Sequence, residues 1–426
     1  MVEGQTKANG ALMAEELTPE FAEEPDDQPE AGLTRARAWR GLIILMGAAF
    51  CIELAVGMGR LAVQLYGIKL GASPMMLGVY GTAMAGAYGL MAPISGRVSD
   101  RFGRKISILF ISIVAAGGLF IAAQKTTLGV LFIVPIFAGS LGFFWPPVQA
   151  WIGDLVSGTG KLHRVLGNFN LLWTSALMLG PPLCGYLWQR GTLAPFLVAS
   201  IIIWASAAVM LFLVPVRRRK AIMAGAGHEP ADADDRADPR ADKYLRLAWA
   251  ANFVGYSSVG IVRSLFPKLA VEMGFNSVMT GWVTGAFCAG QLMAFALLRQ
   301  TTKWQYRRAP MILGMAGGAL GMGGAYFGRS PVVFLASFVI AGAGVGFAYV
   351  GSLFYSLCAP QHRRGRRCGV HELMVGAGGG LGPLLAGAVA THWDVRTSFG
   401  VEGIIFAVAM IIFASYSVAG RLRSST

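Results

Sequence analysis

Two ionisable residues, Glu53 and Arg60, interrupt an otherwise apolar stretch at 41–66. They are seven residues apart and share one helical face, with Gly57 between them. A second arginine, Arg263, lies in the stretch 244–267, where Tyr256 and Gly260 repeat the spacing of Glu53 and Gly57. Charge in apolar surroundings costs several kcal/mol and is kept where it has a task. A guanidinium stays charged and grips carboxylate or phosphate with two prongs, so two from equivalent positions would converge on one anion. A carboxyl in such a setting can take and release a proton. Plainer readings stand beside these. Both arginines lie toward one end of their stretches, where long side chains reach interfacial water. Glu53 is equally read as a static ion-pair partner of Arg60 or Arg263.

Further polar side chains in apolar stretches are candidates for the same site. Trp145 and Gln149 stand one turn apart, and Gln291 lies in another stretch. Pro146 and Pro147 break a helix locally and free carbonyls that only a cavity or protein partner can satisfy. Asn168, Asn170, Trp173, His371 and Glu372 are lesser candidates, each equally read as helix-packing contacts, and Trp151 is expected in an interfacial aromatic belt. Nothing forms a catalytic set. The sequence has no Gly-rich nucleotide loop of the right spacing, no Ser-His-Asp arrangement and no His/Cys metal cluster. The five cysteines lack metal or disulfide spacing. No enzyme, cofactor or metal site is expected.

These residues must be held by membrane-spanning helices. Of 426 residues, 55% are hydrophobic and 14% charged, which indicates an all-α polytopic membrane protein. About twelve stretches reach the roughly twenty residues that cross a bilayer. They are 41–66, 74–94, 105–123, 127–151, 165–188, 193–215, 244–267, 278–298, 309–327, 331–357, 369–391 and 398–419. Lys and Arg concentrate in alternate loops, among them Arg97, Arg101, Arg104, Lys105, Arg299 and the run Arg363–Arg367. This bias places both termini in the cytoplasm of a bacterial inner (plasma) membrane protein. It also explains the net charge of +14 without nucleic acid. The acidic segment 1–40 reads as a disordered cytoplasmic tail, and the polar segment 216–243 as a linker between six-helix halves at 41–215 and 244–420. Residues 421–426 form a short cytoplasmic tail.

The halves repeat at an offset near 202. Gly180, Pro181 and Gly185 align with Gly382, Pro383 and Gly387; Gly57, Arg60 and Gly78 align, one residue further along, with Gly260, Arg263 and Gly281. Gly180-Pro181 and Gly382-Pro383 are read as paired helix hinges, since Gly-Pro frees a carbonyl and bends a helix.

Between the second and third stretches runs Gly96-Arg97-Val98-Ser99-Asp100-Arg101-Phe102-Gly103-Arg104-Lys105, read as a short basic turn. Its pattern, Gly96, Asp100, Arg101, Gly103, Arg104 and Lys105, resembles the loop 2–3 signature of the major facilitator superfamily of secondary transporters. Parallel six-helix repeats are that family's architecture, so the resemblance covers nearly the whole chain beyond residue 40. It implies a twelve-helix transporter that works by alternating access, functional as a monomer. Its partners would be a small-molecule substrate, protons or a counter-substrate, and membrane lipid. It also implies a cytoplasmic latch in which Asp100 approaches the helix that starts near Gly369. A matched arginine pair on helices 1 and 7 is similar to the phosphate-binding pair of the organophosphate antiporters. Gly180-Pro181-Pro182-Leu183-Cys184-Gly185 resembles the helix 5 motif of proton-driven drug exporters, with Cys184 in place of a glycine; the arginine those exporters carry in helix 4 is replaced by Pro135. The leading expectation is a carrier of a small organic anion, the second a proton-driven efflux pump for amphipathic compounds. A scaffold or sensor that has lost transport is the third.

Overall fold

The computed structural model describes residues 29–124, 127–155, 162–212, 239–358 and 361–422. They form helices throughout: α1 (Pro29–Lys69), α2 (Pro74–Phe102), α3 (Arg104–Gln124), α4 (Leu128–Gly139), α5 (Trp145–Leu155), α6 (Leu162–Arg190), α7 (Ala194–Leu211), α8 (Pro239–Glu272), α9 (Ser277–Arg299), α10 (Ala309–Phe327), α11 (Pro331–Leu357), α12 (Gln361–His392) and α13 (Val395–Leu422). A 3-10 turn at Ser140–Phe143 joins α4 to α5, so these two make the fourth of twelve crossings. Nine spans among the described residues are long and apolar enough by composition to cross a membrane.

Helices begin where backbone donors find a cap. Ser73 accepts from the Met76 amide at 3.3 Å and Asn276 from the Met279 amide at 2.8 Å, at equivalent points of the two halves. Each follows a glycine in the left-handed region, Gly71 (φ 81) and Gly274 (φ 78), so the same tight turn occurs twice. At the head of α13 the Asp394 carboxylate accepts from the Thr397 amide and hydroxyl at 2.9 and 2.7 Å. Those bonds, the hydroxyl's first, hold Asp394 below the usual carboxylate range.

In four places the structure departs from the sequence expectation. The signature at 96–105 is not a loop along its length: α2 continues through Phe102, and only Gly103 (φ 91) breaks it, its N–H bonded to the Ser99 carbonyl. No residue from Arg97 to Phe102 is a proline or a glycine, so the ladder runs on until Gly103 can turn left-handed. Likewise α1 starts at Pro29, ahead of the boundary at 40, and α8 at Pro239, inside the segment read as linker. Alanine, leucine and arginine in those flanks sustain a helix once the membrane span has nucleated it. The tail 1–28, the linker 213–238 and residues 423–426 lie outside the described residues. Finally, Trp151 is 4% exposed and packs in the core rather than at an interface, because the break before Trp145 turns that face of α5 inward.

Helix contact is made through glycine. A Cβ on Gly180 would stand 2.6 Å from the Leu54 carbonyl oxygen, and one on Gly382 would stand 2.5 Å from that of Ser257. In this way α6 is pressed on α1 and α12 on α8, the same contact in each half. Between the halves Gly78 of α2 meets the Pro383 carbonyl of α12, while Gly281 of α9 meets the Pro181 carbonyl of α6; a methyl group at either would overlap that oxygen. The repeat seen in the sequence is therefore also a crossed packing pattern.

These contacts loosen along the helices. Call the end bearing Gly103, Lys105 and Arg299 the basic end. From the opposite end toward it, the α2–α12 contact opens from overlap at Gly78 to 3.6 Å from a Cβ on Gly380 to the Ala85 Cβ, then 3.9 Å from one on Gly376 to the Gly89 Cα. A Cβ at Gly369 would meet nothing within 4 Å. Along α2 and α12 the two halves are shut at the opposite end and part toward the basic end, while α6 and α9 stay in contact there through Arg299 and Asn168.

Candidate transport cavity

Between the halves lies a cavity in which the centre of a water-sized sphere has about 180 Å3 to move. Helix α1 contributes Glu53, Arg60 and Gln64, spaced seven and four residues apart on one face. Helix α8 contributes Tyr256, Gly260 and Arg263 at the spacing of Glu53, Gly57 and Arg60. Trp145 and Gln149 enter from α5, Asn170 and Trp173 from α6, Gln291 from α9, Tyr349 from α11 and Glu372 from α12. Thus Glu53, Arg60, Arg263, Tyr256, Trp145, Gln149 and Gln291 all line one space. Arg60 and Arg263 face it instead of extending to an interface.

The polar atoms of this wall are short of partners. Glu53 is 6% exposed and Gln64 5%, yet Glu53 Oε2, Gln64 Oε1 and Arg60 Nε have no hydrogen-bond partner among the described residues. The Arg263 guanidinium makes one long contact, 3.6 Å to Cys288 Sγ. Glu53 feels the charge of both arginines, and the arginines feel each other. A buried polar group without a partner costs about 1–3 kcal/mol, more if charged, so such a set is poised for a ligand.

Aromatic rings form the rest. Trp173 of one half meets Tyr349 and Phe295 of the other, each at 6.5 Å between centroids. Tyr349 also meets Tyr256 at 5.8 Å. Asn170 fixes the Trp173 ring by accepting from its Nε1 at 3.1 Å. On the other wall Trp145 packs edge-on against Phe144 and Phe169.

Other sequence candidates lie elsewhere. His371 is fully buried behind Tyr349, its Nδ1 2.8 Å from Ser352 Oγ and 3.5 Å from Asn252 Nδ2, and it ties α8, α11 and α12 together. Asn168 accepts from Arg299 at 2.8 Å, a bridge between the halves at the basic end. In the signature, Lys105 Nζ donates to the Leu211 carbonyl at the end of α7, within its own half, and Arg101 rests over Phe102. Arg104 is engaged at the head of α3. The side chains of Arg97 and Asp100 lie outside the described residues, and so does the expected contact of Asp100 near Gly369. Gly180, Pro181, Gly382 and Pro383 lie inside continuous helices, at the glycine contacts already described.

Several residues escaped sequence reasoning. Gln64 is one turn beyond Arg60, and extending the Glu53–Arg60 face would have found it. Tyr88 and Tyr349 line the cavity without any motif. Glu402, 2% exposed on α13, accepts from Ser257 of α8 at 3.2 Å and lies outside the cavity; its signal was an acid within an apolar run.

Known proteins bear on this architecture. The chain is 25% identical over 355 residues to "Tetracycline resistance protein, class H" of Pasteurella multocida, covering 80% of this chain and 84% of that relative. It is 23% identical over 353 residues to "Multidrug resistance protein 1" of Bacillus subtilis (strain 168), covering 79% and 86%. Among solved structures, the nucleoside transporter NupG superposes with a TM-score of 0.69 at 14% identity, covering 88% of this chain and 98% of that one. A bacterial homolog to human lysosomal transporter Spinster, described as inward-facing and unoccupied, gives 0.67 at 12% identity, covering 88% and 96%. The family model Major Facilitator Superfamily matches residues 45–243 and 248–424. With its two six-helix halves around a polar cavity, the chain belongs to the Major Facilitator Superfamily of membrane transporters.

Proposed function

We propose that this transporter carries a small organic anion, bound by Arg60 and Arg263, and that Glu53 couples the carriage to protons. One observation carries the reading: two arginines from equivalent positions meet in a cavity where Arg60 Nε and Glu53 Oε2 are buried without hydrogen-bond partners. An anion there would satisfy the guanidiniums bidentately. Ionised Glu53 repels it. Once protonated, Glu53 leaves both arginines to the anion, so proton and anion favour each other's binding, and by linkage the effect is reciprocal. Positive linkage is the thermodynamic basis of co-transport. The halves would rock about this site, the glycine contacts at the opposite end parting as the basic end closes. The basic end is read as cytoplasmic from its excess of Lys and Arg, which places both termini in the cytoplasm of the bacterial inner membrane. The chain would act as a monomer in lipid.

A second reading, proton-driven efflux of amphipathic compounds, is favoured by the two resistance proteins to which the chain is similar and by the aromatic wall of Trp173, Tyr256 and Tyr349. Thermal unfolding of the purified protein in detergent separates the two, with aryl carboxylates, phosphorylated sugars and cationic dyes as probes. A ligand at 100 times its dissociation constant stabilises by roughly 2.7 kcal/mol. Stabilisation by an anion, lost in Arg60→Ala and Arg263→Ala, is expected. Stabilisation by cationic or neutral amphiphiles alone, unchanged in both variants, refutes the anion site and favours efflux.

A further inference from the structure

The cavity wall carries four ionisable charges among the described residues: Glu53, Arg60 and Arg263 grouped together, and Glu372 apart from them. Their separation follows from helix register. Gly260 of α8 packs on Pro383 of α12, 2.6 Å from a Cβ to the proline Cδ, so these two residues stand at one level. The two helices run in the same direction, since Phe253 of α8 likewise meets Gly378 of α12. Arg263 lies three residues beyond that level and Glu372 eleven residues before it. At a rise of 1.5 Å per residue, the α-carbons of Arg263 and Glu372 are about 20 Å apart along the helix axes.

Glu372 is open to the cavity and has no hydrogen bond or ion pair among the described residues. Tyr88, Tyr256 and Tyr349 line the same cavity, and Tyr349 meets His371, the residue before Glu372, at 4.9 Å between centroids. His371 beside it points away, held by Ser352 and Asn252. A carboxylate in a cavity that tyrosines also line suits an ammonium group: the carboxylate attracts the charge and the ring faces attract it through their quadrupoles. Glu372 is too far from Arg60 and Arg263 to neutralise them directly.

We infer that the substrate is amphoteric: an elongated aromatic molecule whose anionic group meets Arg60 and Arg263, whose ring lies among Trp173, Tyr256 and Tyr349, and whose basic amine meets Glu372. This rests on the anion reading of the arginines and adds a second pole to it. A single anion leaves Glu372 without a partner. A single cation leaves both arginines so. Only a molecule with both charges serves the whole wall.

Three matched probes test it by calorimetry on the full-length protein in detergent: 4-butylbenzoate, 4-phenylbutylamine and 4-(4-aminobutyl)benzoate. The amphoteric probe is expected to bind wild type about tenfold more tightly than 4-butylbenzoate, the gain of one screened charge pair. Glu372→Gln should abolish that gain while leaving 4-butylbenzoate within about twofold. Glu372→Lys should reverse the preference, and Arg263→Ala should weaken both carboxylates. Glu372 has no hydrogen bond among the described residues, so unchanged thermal unfolding of Glu372→Gln serves as the folding control. Equal affinities of the two carboxylates in wild type, with the Arg263 dependence intact, overturn the amphoteric inference alone. Binding of 4-phenylbutylamine that needs Glu372 but neither arginine overturns the inference together with the anion site.

Discussion

Replacing Glu53 with Gln removes a charge and keeps the volume, and the effect can be worked from helix geometry. Glu53 and Arg60 are seven residues apart on α1, about 10.5 Å of axial rise, which sets the scale of separation between the carboxylate and an anion held at Arg60. At an effective dielectric of about 20, two unit charges at that distance repel by about 1.6 kcal/mol. Glu53→Gln should therefore bind an aryl carboxylate about 15-fold more tightly than wild type whose carboxyl is ionised. In wild type the affinity should rise as pH falls, because protonation removes the same repulsion. In the variant that slope should flatten, since the carboxyl that gains the proton is gone. Titration calorimetry from pH 5 to pH 8 reads both quantities. Glu53 Oε2 makes no hydrogen bond, so the exchange orphans no group there. An affinity change below about twofold, or a pH slope kept in the variant, would show that Glu53 is not the countercharge an anion displaces.

Two further outcomes test the scaffold. Gly281→Ala drives a methyl group into the Pro181 carbonyl across the half interface and should cost about 1–3 kcal/mol of stability in the closed opposite end. A thiol reagent applied to a cysteine placed near residue 277 should then react faster, and unchanged reactivity would mean this contact does not seal that end. Asp394→Ala removes the cap of α13 and should lower thermal stability by about 0.5–2 kcal/mol. Because the folded state holds Asp394 below its usual range, this contribution is present near neutral pH and lost as pH falls through the depressed value. The melting difference between wild type and Asp394→Ala should therefore shrink in acid, and a constant difference would refute the cap as its source.

Much of this protein was legible in its sequence, because a bilayer imposes two rules that composition records. A crossing needs about twenty apolar residues, and backbone groups in hydrocarbon must bond within a helix or to protein. Those rules yield twelve crossings and mark Pro146-Pro147 as a break, which the 3-10 turn at Ser140–Phe143 and the restart at Trp145 bear out. The same cost of burying charge singled out Glu53, Arg60 and Arg263, and the repeat predicted that the arginines occupy equivalent places.

What sequence reasoning missed depends on contacts between distant segments. That Gly78 seats on Pro383 and Gly281 on Pro181 needed the halves packed together, since each glycine alone is indistinguishable from many others. Tyr88, Tyr349 and Gln64 became cavity residues only when the register of each helix against its neighbours was set. Whether Glu372 or Glu402 faces the cavity is likewise decided by helix rotation, which no apolar run of twenty residues records. Hydrophobicity along one chain determines which segments enter the membrane; the turning of each helix, and so the chemistry its polar side chains meet, is fixed by interlocking side chains and glycines from segments hundreds of residues apart.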